Sequence, residues 1–219
     1  MAKTLITIPA RAGSKGVKGK NLREVAGKSL LHRAMDIALG FKADIILTTD
    51  IDCIFPSEIL YHARPALLCS DTARAWDVWQ DAAETASEAL GETYKQHVYL
   101  EPTSPCRTTE DVLRVLAYLS THDSVFTASP SPLSPGKFFS VAHNRIGITI
   151  NHDMMLNNAP RQSQGQWYLK NGIAYACTDK HMRESKTMLS EESYVDVITR
   201  PVVNIDTEED FILAEALLK

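Results

Sequence analysis

Two spacings of apolar residues alternate along this chain and predict an ordered series of strands and helices. Thr4 to Pro9 is a short, continuous apolar and β-branched run, as expected of a strand buried on both faces. Leu30, Leu31, Ala34, Ile37 and Ala38 then fall at helical spacing and Gly40 marks a stop, so Leu30 to Leu39 reads as a helix. Asp44 to Thr48 predicts a second strand, closed by Asp50. Cys53 to Ser70 carries Pro56 and Pro65 and reads as irregular. Trp76, Trp79, Ala83 and Ala86 place a helix over Asp71 to Leu90, with Gly91 behind it. His97 to Leu100 predicts a third strand and Ser124 to Ala128 a fourth. Between them, Thr109 to Leu119 is a helix with Val112, Val115, Leu116 and Leu119 on one face.

From Ser129 to Lys170 the pattern breaks into a proline-rich stretch, an alternating FFSVAHNRIGITI and an Asn-rich turn at Asn157 and Asn158. A hairpin-bearing arm outside the main sheet fits that stretch. Gly172 to Cys177 and Val202 to Ile205 then read as further strands, and Glu208 to Leu218 as a closing helix. Alternating strands and helices imply an α/β, Rossmann-like architecture: a mostly parallel central sheet with helices on both faces. Residues 1–219 form one domain on this reading, with the arm at about 129–170. Ligands of such sheets lie beyond the carboxyl ends of the strands. A basic loop after the first strand, Asp50, the turn EPTSPCR at 101–107 and Asp206 all fall there.

Composition changes the picture little, and charge changes it more. With 44% hydrophobic and 23% charged residues the chain is an ordinary globular one, not disordered or fibrous. Cys53, Cys69, Cys106 and Cys177 are scattered, so neither a disulfide framework nor a zinc site is expected. No apolar run reaches the length of a membrane span, and the first residues lack a signal-peptide pattern, so a reduced cytoplasm is the expected compartment. The formal charge of -4 hides an asymmetry. Arg11, Lys15, Lys18, Lys20, Arg23 and Lys28 face only Glu24 between positions 11 and 28, which concentrates positive charge in one loop of an acidic chain. An acidic total argues against nucleic acid or a membrane as partner.

That loop reads PARAGSKGVKGKN from Pro9 to Asn21. Gly13, Gly16 and Gly19 let the backbone turn, while Arg11, Lys15 and Lys20 supply charge, a combination suited to a phosphate chain. Composition alone leaves a solvated surface loop equally open. Neither G-x-x-x-x-G-K-[ST] nor G-x-G-x-x-G is present, which excludes the common kinase and dehydrogenase loops.

IPARAGSKGVKGKNL resembles the nucleotide-binding signature of the acylneuraminate cytidylyltransferases, also called CMP-sialic acid synthetases. Further blocks follow in order: TTD at 48–50, ARP at 63–65 with SDT at 70–72, LEPTSPCR at 100–107, PRQ at 160–162, NG at 171–172 and NIDTEEDF at 204–211. The resemblance implies the nucleotidyltransferase fold with a protruding dimerisation arm, hence a homodimer. It also implies Mg²⁺-dependent transfer of a cytidylyl group from CTP to the anomeric hydroxyl of an acidic 2-keto sugar, with pyrophosphate leaving. By resemblance Arg11, Ala12, Gly13, Lys15, Lys20, Asn21, Arg64 and Ser70 bind the nucleotide. Arg11, Lys20 and Asp206 serve catalysis. Glu101, Thr103, Ser104, Arg161 and Lys170 face the sugar, with Lys137 a weaker candidate, and Asp206 and Asn204 face the metal.

Two departures from the family pattern stand out. The metal block usually reads D-I-D-T, whereas here Asn204 replaces the first acid. On an extended segment residues 204 and 206 share a side, so the spacing is kept and one charge is lost. Asp206 precedes a helix and reads either as a metal ligand or as its N-cap; Thr207 with Asp210 makes an equally good capping pair. Glu101 stands where the family has Gln, which either alters sugar choice or replaces the charge lost at 204. The segment between Asp50 and Arg64 is also shorter than the family's. Other nucleotides, other sugar acids (legionaminic, pseudaminic, Kdo-like) and a non-catalytic nucleotide-binding protein are the alternatives.

Overall fold

The computed structural model describes residues 2–13, 16–141, 147–149 and 165–219. The main sheet comprises β1 (Thr4–Ala10), β4 (Asp44–Thr49), β5 (Ile59–Ala63), β6 (Gln96–Tyr99), β7 (Ser124–Ser131), β10 (Trp167–Thr178) and β11 (Tyr194–Val197). Two small ribbons lie outside it: β2 (Glu24–Val25) with β3 (Lys28–Ser29), and β8 (Phe139–Val141) with β9 (Gly147–Thr149). The helices are α1 (Leu30–Leu39), α2 (Ala75–Leu90), α3 (Thr109–Tyr118), α4 (Asp179–Glu184) and α5 (Glu208–Leu218). The seven-stranded order is β11-β7-β10-β6-β1-β4-β5. All neighbouring pairs are parallel except those of β10, which runs antiparallel to both β6 and β7. This is the expected mostly parallel α/β sheet, with one reversed strand, β10, inserted between β7 and β6.

The continuous apolar run of β1 serves two cores at once. Ile6 and Ile8 pack on one face with Leu31 and Met35 of α1 and Val112 and Val115 of α3. Leu5 faces the other side, where Trp76, Trp79 and Ala83 of α2 meet Tyr99 and Tyr175. A third, smaller core joins Val17 and Val25 to Val203, Ile205 and Phe211. It matters most for position, because it pins the basic loop against the segment before α5.

Several expectations are corrected. Cys53 to Ser70 is not irregular throughout: Ile59–Ala63 pairs with β4 as the sheet's edge, and Ala66–Cys69 is a short 3₁₀ helix. Val202 to Ile205 forms no strand; it runs extended and Ile205 N–H donates to the Thr103 carbonyl at 2.8 Å. The helix expected from Asp71 begins at Ala75. Strands β7 and β10 extend to Ser131 and from Trp167, so the main sheet takes the two ends of the interval 129–170, and the ribbon β8–β9 lies between them outside that sheet. The turn at Asn157 and Asn158 lies outside the described residues.

His97 supplies a pH-dependent term. It is 3% exposed, both ring nitrogens lack hydrogen-bond partners, and Nε2 lies 3.7 Å from Asp179 Oδ1. Burial pushes its imidazole down to about 4, against the pull of the Asp179 carboxylate. The folded value lies below the unfolded one, so this stability is complete above about pH 6.5 and lost as pH falls toward 4. At pH 4.5 the loss should reach about 2–3 kcal/mol. Urea midpoints at pH 7.5 and 4.5 should therefore separate less in His97→Leu than in the wild type. Equal separation would remove His97 as the cause.

Candidate active site

The carboxyl ends of β1, β5 and β6 surround a cleft of about 290 Å³ whose walls include Arg11, Lys20, Asn21, Arg64, Glu101 and Asp206. Larger hollows lie between α2 and α4 (about 400 Å³) and on the β7–β10–β11 face (about 480 Å³), but neither gathers more than one cation. The cleft is where the expected charge converges.

Its basic side is organised by carboxylates. The Ala12 N–H donates to Asp50 Oδ1 at 2.8 Å. Arg11 Nη1 donates to Asp71 Oδ1 at 2.9 Å and to the Cys69 carbonyl at 3.3 Å. Lys20 Nζ donates to Asp206 Oδ1 and to the Ile205 carbonyl, both at 2.8 Å. An amide, a guanidinium and an ammonium thus each hold an oxygen anion, and a phosphate chain would present the same chemistry. Asn21 is buried, and its Nδ2 donates to the Arg11 carbonyl at 3.0 Å, closing the loop on itself. Gly16 permits the close approach of the loop to the backbone at Asp206, since a Cβ there would collide with the Asp206 carbonyl oxygen. Arg64 is buried; one Nη donates to the Thr48 carbonyl at 2.8 Å, while Nε has no partner. Burial lowers the pKa of that guanidinium.

The acidic side is built from the turn after β6. Alternation along the extended segment before α5 sends Val203 and Ile205 into the small core and turns Asn204 and Asp206 the other way. Thr207 and Asp210 form a reciprocal capping box at α5, so the Asp206 side chain is not needed as the cap. Gly172 has φ +70°, and a Cβ on it would lie 2.7 Å from Ser104 Oγ, 2.8 Å from Glu101 Oε2 and 3.1 Å from Asn204 Nδ2. Burial raises the Glu101 carboxyl pKa, opposed by Arg107 and reinforced by Asp206. Buried Arg107 ties this corner together, donating from Nη2 to the carbonyls of Glu101 (2.7 Å) and Gly172 (3.3 Å) and from Nε to Ile173. Burial pulls its guanidinium down to about 10, with Glu101 and Asp111 opposing.

The cleft therefore brings together Arg11, Lys20, Asn21, Arg64, Glu101, Thr103 and Asp206. Ser104 is buried with its hydroxyl on the Asn171 carbonyl at 3.2 Å, and Ser70 bonds the Leu67 carbonyl at 3.0 Å; neither hydroxyl turns into the cleft. Gly13 is exposed. Lys170 is exposed on the β10 edge, near enough to Glu101 to act on its charge. Lys137 is exposed in a 3₁₀ turn. Lys15 and Arg161 lie outside the described residues. Arg107 and Asp71 carry site roles that pattern reading missed, although both fall inside the LEPTSPCR and SDT blocks that drew attention.

For a cation, the oxygen donors are the carboxylates of Asp206 and Glu101 and the Oδ1 of Asn204, which is buried without a partner. Among the described residues no group of three or more His, Cys, Asp or Glu could hold an ion. Such a donor set suits a hard ion that brings its own phosphate ligands, as Mg²⁺ does, better than a protein-only cage.

A family model described as cytidylyltransferase matches residues 5–145. The chain belongs to that family. It is 29% identical over 232 residues to the CMP-N,N'-diacetyllegionaminic acid synthase of Legionella pneumophila, covering 98% of this chain and 96% of that one. It is 26% identical over 222 residues to the N-acylneuraminate cytidylyltransferase of Streptococcus agalactiae serotype III, covering 96% of this chain. The chain spans about half the length of that streptococcal relative (52%). A solved CMP:2-keto-3-deoxy-manno-octonic acid synthetase, complexed with CTP, shares the fold with a TM-score of 0.64 at 15% identity, over 99% of this chain and 98% of that one. No helix among the described residues is long and apolar enough to cross a membrane.

Proposed function

We propose that the chain transfers the cytidylyl group of CTP to the anomeric hydroxyl of a nonulosonic, sialic-type acid, releasing pyrophosphate. The observation that carries this is the convergence of the Ala12 amide, Arg11 and Lys20 on carboxylates at the end of β1, in a family that transfers cytidylyl groups. On this reading the triphosphate takes the places those acids hold. Lys20 then faces the charge that grows on the departing pyrophosphate, the kind of stabilisation such displacements require. Arg64 and Asn21 position the nucleoside end, and Thr103, Glu101 and Lys170 lie on the sugar's side. Mg²⁺, held by Asp206 and Asn204 together with phosphate oxygens, would neutralise the charge of the triphosphate when bound.

The relatives' own names divide among sialic, legionaminic and pseudaminic acids, so the sugar is the finer part of this proposal. Two copies are proposed to pair through the face of β7, β10 and β11, where Tyr168, Val195 and Val197 are exposed. The test is pyrophosphate release with each of four nucleoside triphosphates, crossed with a panel of 2-keto sugar acids and Mg²⁺. Turnover is expected with CTP and a nine-carbon acid, in a preparation that sediments as a dimer. Turnover with GTP and not CTP would sink the cytidylyl assignment. CTP binding without turnover for any sugar would favour a binding protein, and an active monomer would remove pairing from the reading.

A further inference from the structure

The corner at Gly172 holds an arrangement that the family pattern does not contain. Glu101 arrives from the turn after β6, and Asn204 from the extended segment before α5. Their side chains flank one point above the Gly172 Cα, 2.8 Å from Glu101 Oε2 and 3.1 Å from Asn204 Nδ2. The two segments are joined by the bond from Ile205 N–H to the Thr103 carbonyl, so their relative position is fixed by backbone. The Glu101 carboxylate is tied by no hydrogen bond to a described residue, and its interactions there are charge effects from Arg107, Asp206, Lys170 and Lys20. Arg107 is already committed to backbone carbonyls and Lys20 to Asp206 and Ile205. Asn204 Oδ1 is buried and unpartnered, a polar oxygen whose desolvation nothing present offsets.

A half-buried carboxylate and an orphaned amide oxygen beside a second carboxylate make an incomplete set of hard oxygen donors. We propose that Glu101 is a ligand of the divalent cation bound with the triphosphate, acting with Asn204 and Asp206, so that a carboxylate from the β6 turn supplies the charge that residue 204 lacks. The competing role for Glu101, a contact to the sugar, leaves the Asn204 oxygen unexplained. The cation places both groups in one coordination sphere. This inference rests on the nucleotidyl-transfer reading and assigns Glu101 to its metal rather than its sugar.

The test measures Mn²⁺ binding by electron paramagnetic resonance, with a non-hydrolysable CTP analogue present, for the wild type, Glu101→Gln, Asn204→Asp and the double variant. These are near-isosteric changes, and thermal melting checks that each variant is folded. Glu101→Gln is expected to weaken Mn²⁺ by at least about tenfold, since losing even an outer-shell partner costs that much. Asn204→Asp alone should change Mn²⁺ affinity by less than about threefold, whereas added to Glu101→Gln it should restore affinity to within about threefold of the wild type, which makes the cycle non-additive. Analogue affinity is also measured without metal in all four proteins, which separates any change in nucleotide binding from the change in Mn²⁺ binding. Unchanged Mn²⁺ affinity in Glu101→Gln, or additive effects of the two substitutions, overturns the inference while leaving the nucleotide reading intact. A raised KM for the sugar acid with unaltered Mn²⁺ binding would place Glu101 on the sugar instead. A wild type that does not bind the CTP analogue overturns the nucleotide reading, and this inference with it.

Discussion

Replacing Lys20 by Met is expected to lower kcat/KM for pyrophosphate release by about 10²–10³, the usual effect of removing one preorganised donor from a transition-state site. The ammonium is the side chain on which both sides of the cleft converge, bonded to Asp206 Oδ1 and to the Ile205 carbonyl at 2.8 Å each. Met keeps the apolar stem and removes only the charge. Folding should hardly notice, because the Asp206 side chain of the pair is 72% exposed and such pairs contribute at most about 1 kcal/mol. Melting temperature and activity should therefore part company, with the deficit falling mainly in kcat. Lys20→Arg should recover little of it, since the planar fork does not reproduce a point charge aimed at two oxygens. Activity within threefold of the wild type would make the pair structural and remove Lys20 from the chemistry.

Arg107→Met should produce the largest loss of stability, about 3–5 kcal/mol. The side chain is 7% exposed, and its guanidinium serves the carbonyls of Glu101, Gly172 and Ile173. Methionine leaves those acceptors dry, and each buried unsatisfied group costs about 1–3 kcal/mol. The urea midpoint should fall without a change in slope, since the exposed surface on unfolding is the same. The surviving folded fraction should also be impaired, because Glu101 and Gly172 lose the clamp that holds them at the cleft. A loss under 1 kcal/mol would mean that water replaces the guanidinium.

How far the sequence revealed all this depended on where each residue's partners lie. β1, β4, α1 and α3 were legible because their burial is complete or strictly one-sided, and burial of that kind writes itself into residue spacing. β5 is an edge strand with Ile59 buried and Tyr61 46% exposed, flanked by Pro56 and Pro65, and those signals read as a loop. β11 inverts the usual code. Its inner position is Asp196, buried by Arg114 at 3.0 Å, while Val195 and Val197 face outward. Val202 to Ile205 reads as a strand because Val203 and Ile205 are buried, but they dock on the small core beside α5. In the site, charged positions on strand ends were readable because the topology gathers those ends. Asp71 and Arg107 were not, since each acts through a tertiary partner far away in the chain: Arg11 for one, backbone carbonyls of β10 for the other. The hydroxyls of Ser70 and Ser104 donate to backbone carbonyls, of nearby Leu67 and of distant Asn171 respectively.

The register break in β10 sets which way its outer half looks. Lys170 pairs with Ala128 and Tyr175 with Phe126, so five steps along β10 answer two along β7. The excess is odd, and side chains alternate with period two, so the break inverts the phase of the strand. Lys170 consequently shares a face with Tyr175 and Phe126, where an unbroken strand would have turned it to the opposite side. Removing or adding one residue between 170 and 175 would leave the inner half of β10 paired with β6 and rotate everything beyond it by half a turn. The length of that bulge is a parity setting that decides which face of the sheet the outer half of β10 presents.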